Sequence, residues 1–113
     1  MAFEYNKQPW EEEIIGVDFS RRIPAGVTVQ AVQTGVTDCE IEEIVGLTGQ
    51  NPNDYVAGHL TLATPVLAGA SSKILTVMVS DGVANFKYRV SFRVTLSDNQ
   101  KKEDDVWVIV KET

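Results

Sequence analysis

His59 is the only histidine of the chain and stands in Gly58-His59-Leu60-Thr61-Leu62, a strand-like setting. A zinc ion would need further soft or imidazole ligands, and the single cysteine, Cys39, has no partner at a ligand spacing. A Ser-His-Asp triad would need a local signature, and no Gly-x-Ser-x-Gly elbow occurs. A Cys39–His59 nucleophile pair can be drawn on paper, but a thiol in a β-rich chain is more often a small buried hydrophobe. The carboxylates come in runs: Glu11, Glu12 and Glu13; Glu40, Glu42 and Glu43; Glu103, Asp104 and Asp105. Glycoside hydrolysis needs two carboxyls facing across a cleft, whereas adjacent acids read as solvated faces. Asn51-Pro52-Asn53-Asp54 offers oxygen ligands for calcium but lacks the spacing of a calcium-binding loop. No Gly-rich phosphate loop is present. These residues predict no catalytic, metal or cofactor site.

The elements that would carry them are strands. Phe86, Tyr88, Val90, Phe92, Val94 and Leu96 alternate with Lys87, Arg89, Ser91, Arg93 and Thr95. A period of two held this long describes a strand with one face on a core and one in water. Ile15, Val17 and Phe19 alternate in the same way, as do Val27, Val29 and Ala31. Residues 74–79, ILTVMV, read as a strand covered on both faces. In residues 104–111, DDVWVIVK, Val106, Val108 and Val110 face one way and Trp107 and Ile109 the other. Residues 38–45 suit a strand or a helical turn, and residues 57–63 suit a short strand. Ser80-Asp81-Gly82 and Ser97-Asp98-Asn99-Gln100 supply turn chemistry, so the last three strands are expected to form a meander of two hairpins. About seven short strands with turns between them predict an antiparallel β-sandwich. Lys101, Lys102, Glu103, Asp104 and Asp105 would then guard a strand edge.

Composition narrows the classes further. The chain has 113 residues, with 10 basic against 16 acidic side chains and a formal charge of −6. That balance opposes a nucleic-acid binder or a polybasic membrane anchor, both of which need clustered cations. One cysteine cannot form an internal disulfide, so the core alone must hold the fold. The N-terminal stretch MAFEYNKQPWEEEII has no basic patch followed by an apolar run, so no secretory signal is expected. Two tryptophans remain as candidate partner contacts: Trp10, beside Pro9 ahead of the first strand, and Trp107, on the less buried face of the last. The competing reading is that they cover the ends of the sandwich.

The stretch ILTVMVSDGVANFKYRVSFRVTLSDNQKKEDDVWVIVKE resembles the end of small phage proteins known as fiber–tail adaptors. That family pattern runs from an apolar strand (residues 74–79) through Ser80-Asp81-Gly82 and the linker Val83-Ala84-Asn85 to an alternating strand (88–96). It then continues through Ser97-Asp98-Asn99 and the acids Glu103-Asp104-Asp105 to a Val-rich strand (106–110). The N-terminal half is similar too, with an acidic tract, Val17-Asp18-Phe19-Ser20, and Ile23-Pro24-Ala25-Gly26-Val27-Thr28-Val29, where the family has Val-Pro-x-Gly-Leu-Thr-Val. The resemblance covers residues 12–37 and 73–112 and lapses over 38–72, where this chain carries a longer middle. Asn85 stands where the family often has Gly, and Asn tolerates the left-handed conformation better than most residues.

The resemblance implies an Ig-like fold and a structural role in a phage or prophage particle, with no catalytic residues to carry over. The expectation is therefore an all-β, Ig-like antiparallel β-sandwich filling residues 1–113 as one domain, with residues 1–11 as a flexible N-terminal arm. It would be a non-enzymatic adaptor in tail or particle assembly, made in the host bacterial cytoplasm and ending in the virion. Its partners would be other phage tail or particle proteins, with no nucleic acid, membrane, metal or cofactor, and with Trp10 and Trp107 as candidate contacts. Several copies, as a homo-oligomer, would suit a symmetric particle. The alternative is a carbohydrate-binding or cell-surface adhesion Ig-like module using Trp10, Trp107 or Tyr55. A small hydrolase built on His59 is the third class.

Overall fold

The computed structural model describes residues 3–54, 58–69 and 72–112. Among them run eight strands: β1 (Phe3–Lys7), β2 (Glu13–Asp18), β3 (Asp38–Gly46), β4 (Thr61–Leu62), β5 (Val66–Ala68), β6 (Ile74–Ser80), β7 (Phe86–Thr95) and β8 (Lys101–Val110). Two short 3₁₀ turns, Ser20–Arg22 and Pro52–Asp54, are the only helical pieces among the described residues. One sheet has the order β1-β8-β7-β3. The other has the order β2-β6-β4, with β5 also paired to β6. The protein is an all-β sandwich.

Alternation decides which side chains fill it. Phe86, Tyr88, Val90, Phe92 and Val94 of β7 and Val106, Val108 and Val110 of β8 are fully buried on the inner face of the first sheet. Ile15 and Val17 of β2 and Leu75, Val77 and Val79 of β6 meet them from the second, and Phe19 and Leu96 extend the same cluster. β7 carries this core because it is paired along both edges, to β3 and to β8. Pairing along both edges satisfies its main chain, and its apolar row meets the opposite sheet.

Four expectations need correction. Val27, Val29 and Ala31 do not form a strand: only Val29 bridges to Leu96. The segment follows the end of β7 through Gln30 N–H to Thr95 O and Ser97 N–H to Thr28 O, and the Pro24-Ala25-Gly26 turn before it leaves it no longer partner. Nor is there a three-strand meander. Only β7 and β8 form a hairpin, closed by Asn99 in the left-handed region and Leu96 N–H on Gln100 O.

β6 lies in the opposite sheet, so residues 81–85 carry the chain across the sandwich. Asp81 (φ 61°) and Gly82 (φ 107°) both take positive φ there, and a Cβ on Gly82 would stand 2.8 Å from Val110 Cγ2. Third, residues 3–7 of the expected flexible arm form β1, parallel to β8, with Tyr5 opposite Val108. The sandwich is therefore mixed rather than purely antiparallel. Lys7 explains why this strand is hard to read: it is 3% exposed, and its Nζ donates to Gln8 O (2.7 Å), Pro9 O (3.3 Å) and Asp81 O (2.5 Å). A charge at a buried position is tolerated because three carbonyls replace its water. Fourth, residues 74–79 are covered on one face only, since Met78 is 41% exposed.

The middle of the chain resolves into edge strands. β3 lines the rim of the first sheet, with a register irregularity between Ile41 and Glu43. β4 and β5 follow the same edge of β6, with Pro65 between them and a one-residue change in register. Proline lacks the N–H a ladder needs, so the strand is interrupted there.

Tyr88 joins this middle segment to the core. Its side chain is fully buried, its hydroxyl oxygen accepts from Val83 N–H (3.0 Å), and its O–H faces His59 Nδ1 (2.8 Å). Tyr88→Phe should therefore lower stability by about 1–3 kcal/mol, the cost of leaving buried partners unpaired, as read from the denaturant midpoint. A midpoint equal to the parent's would show that the hydroxyl holds nothing.

Candidate functional site

His59 is a structural residue in this geometry. Its Nε2 faces Pro52 O (3.0 Å), which can only accept, so Nε2 carries the proton and Nδ1 accepts from Tyr88. Its ring also packs edge-on against Phe86 and Tyr88. Cys39 is not its neighbour. It pairs with Phe92, four positions from Tyr88 on β7, or about 13 Å along a strand. Among the described residues no group of three or more His, Cys, Asp or Glu side chains is placed to hold a metal ion.

The acids of β3, together with Asp105, acquire partners that the sequence reading missed. Arg93, on the outer face of β7, meets Asp38 (3.0 Å), Glu40 and Glu42 (3.7 Å) of β3. Arg89, four residues earlier on the same face, bridges Glu43 of β3 (3.2 Å) and Asp105 of β8 (3.1 Å). Ser91 O–H adds a bond to Asp105 (2.8 Å). The carboxylates of β3 and Asp105 thus form a cross-strand ladder centred on two arginines. The signal was present, since Arg89 and Arg93 share one face of an unmistakable strand, but the pairing of β7 with β3 was not readable.

Trp107 lies on the same outer face, half-buried between Glu4 and Arg89 in register. The Lys87 ammonium stands over its ring, 4.6 Å from the centroid. Trp10 is 92% exposed, in the turn joining β1 to β2, where Glu11 N–H bonds Gln8 O and the Glu11 carboxylate accepts from Gln8 N–H. Tyr55 lies outside the described residues.

A second surface went unread. The outer face of the other sheet exposes Ile14 (66%), Val66 (58%) and Met78 (41%). Ile14 and Met78 are direct register partners, and Val66 pairs with Thr76, two residues along β6. Alongside runs a groove of about 450 Å³ lined by Tyr5, Gly16, Val17, Asp18, Arg21 and Asp104. An exposed apolar sheet face beside an open groove is the kind of surface that marks an interaction site.

Burial, reinforced by Asp38, pushes the Cys39 thiol up to about 12. Against an ordinary value of 9.0, its thiolate fraction at neutral pH is lower by about a thousandfold. A thiol reagent should label the native protein slower than the denatured one by at least about a hundredfold. Comparable rates would show the thiol to be free and reactive.

The family comparison spans both sheets, including the middle over which the resemblance lapsed. No curated protein matches the chain. The match to a known family runs over residues 7–109, and on that basis the chain belongs to the family described as podophage GP4 fiber-tail adaptor protein gp77.

Proposed function

We propose that this protein is a non-enzymatic adaptor of a phage or prophage tail, an Ig-like sandwich that joins other tail proteins through its strand edges and outer faces. The observation that carries this reading is the family match over residues 7–109, which takes in every strand but part of β1 and the last residue of β8. The geometry supports it. The groups singled out for chemistry are engaged in the fold: His59 on Tyr88 and Pro52, Cys39 raised in pKa, and the carboxylates of β3 on Arg89 and Arg93.

In this reading the chain is made in the host cytoplasm and becomes part of the virion. Several copies, arranged by the particle's symmetry, let weak contacts add through avidity. Trp10 is the contact residue of this proposal, because an exposed tryptophan on a tied-down turn brings a large rigid surface to a partner. Trp107 contributes through its edge. The carbohydrate-binding alternative is less well supported, since Lys87 stands where a sugar would stack on Trp107.

The test is purification of particles and tail intermediates from the producing host, followed by identification of their proteins. The chain should be present in fixed copy number, and Trp10→Ala should reduce its incorporation by about tenfold without shifting its unfolding midpoint. Its absence from both particles and intermediates would sink the proposal.

A further inference from the structure

We infer that the open edge of β2 is a docking site for an extended strand of a partner protein that carries basic and apolar side chains in alternation. This rests on the adaptor reading above and names the edge and the chemistry of what binds it.

Main-chain geometry shows which groups are available. Phe19 N–H donates to Lys73 O, and Ala63 N–H to Met78 O on the other edge of β6. In an antiparallel ladder these bonds alternate, so Val17, Ile15 and Glu13 direct their N–H and C=O toward β6. Ile14, Gly16 and Asp18 direct theirs away from it. Among the described residues no strand pairs with that side of β2. The Tyr5 hydroxyl reaches Gly16 O at a long 3.5 Å, which confirms the direction and leaves room for a stronger donor. The groove lined by Tyr5, Gly16, Val17, Asp18, Arg21 and Asp104 lies along this edge. An extended segment seated there would continue the sheet by strand addition.

Side chains determine what that segment must be. On the outer face, Ile14 and Met78 present apolar surface, and Gly16 contributes no side chain of its own between Ile14 and Asp18. A Cβ there would stand 3.0 Å from Leu75 O and from Thr76 Cγ2, so any larger residue would need these neighbours to give way by a few tenths of an ångström. A partner side chain of some bulk covers such a position. Charge selects the rest. Residues 8–19 carry Glu11, Glu12, Glu13 and Asp18 and no lysine or arginine. A second copy pairing β2 with β2 would therefore crowd four carboxylates from each chain together against only Lys7 and Arg21 nearby, which disfavours self-association. A partner strand with a Lys or Arg opposite Glu12, an apolar side chain beside Ile14 and a bulky one over Gly16 meets every requirement of this edge.

The test uses the chain assembled into its own particle. Glu12→Lys and Ile14→Lys alter exposed side chains and should leave the unfolding midpoint unchanged while lowering incorporation by about tenfold each. Lys101→Ala, an exposed side chain on β8 of the other sheet, should incorporate as the parent does. Independently of any variant, hydrogen exchange followed by mass spectrometry should show amides within residues 11–19 slowed by about tenfold in the particle relative to the free chain. Parental incorporation of both lysine variants, with unchanged exchange over 11–19, would overturn the inference while leaving the adaptor role intact. Absence of the parent chain from particles would remove both. A concentration-dependent dimer in sedimentation, abolished by Ile14→Lys, would assign the edge to a second copy and likewise overturn it.

Discussion

β7 is the constraint on which the other elements depend. Its inner row from Phe86 to Val94 is fully buried, and both of its edges are hydrogen-bonded, to β3 over eight register pairs and to β8 over ten. A strand satisfied on both edges and apolar on one face can occupy only the interior of a sheet, with a second sheet against it. β8 then follows by a tight hairpin, β3 takes the remaining edge, and β6 is displaced to the opposite sheet. The crossing through Asp81 and Gly82 is forced by that displacement. Lys7 closes the same end of the sandwich by donating to Asp81 O, so β1, the β1–β2 turn and the crossover are tied at one buried ammonium.

The two outer faces that result are chemically unlike. The β1-β8-β7-β3 face is polar and internally matched, with Arg89 held between carboxylates of β3 and β8 and Arg93 held by those of β3. Matched charges of this sort contribute modestly to stability and leave little unpaired charge for a partner. The β2-β6 face carries Ile14, Met78 and Val66 in the open, bordered by acids and flanked by an edge of β2 with which no strand pairs among the described residues. Exposed apolar surface is thus greatest on one side of the molecule. That asymmetry suits an adaptor, which must hold a neighbour in one orientation.

Much of the fold was legible residue by residue. The alternation of Phe86, Tyr88, Val90, Phe92 and Val94 identified β7 to within a residue of its observed end, and Ser97-Asp98-Asn99-Gln100 marked the hairpin that follows. The turns at Asp81 and Gly82 were legible as turns but not as a change of sheet. β1 escaped because Lys7 sits at an inward position, where a charge normally argues against burial. The exposed face of β6 escaped because ILTVMV is apolar at every position but Thr76, and composition cannot say which side is covered. Among polar residues, Arg89 and Arg93 were missed as organisers of the acids of β3.

The sequence by itself determined that the chain is built of strands, which side of each amphipathic strand turns inward, and that no catalytic constellation is spelled out locally. Period-two alternation is a property of a single segment, because successive side chains on any strand point to opposite faces. Only the tertiary structure decided which strands pair, in which sheet and direction, and therefore which edges and faces stay open. The physical reason is that strand pairing is made by main-chain N–H and C=O groups, which nearly every residue carries alike. Partner choice then depends on packing between distant segments, such as Tyr88 against His59 or Lys7 against Asp81, and not on any one of them alone.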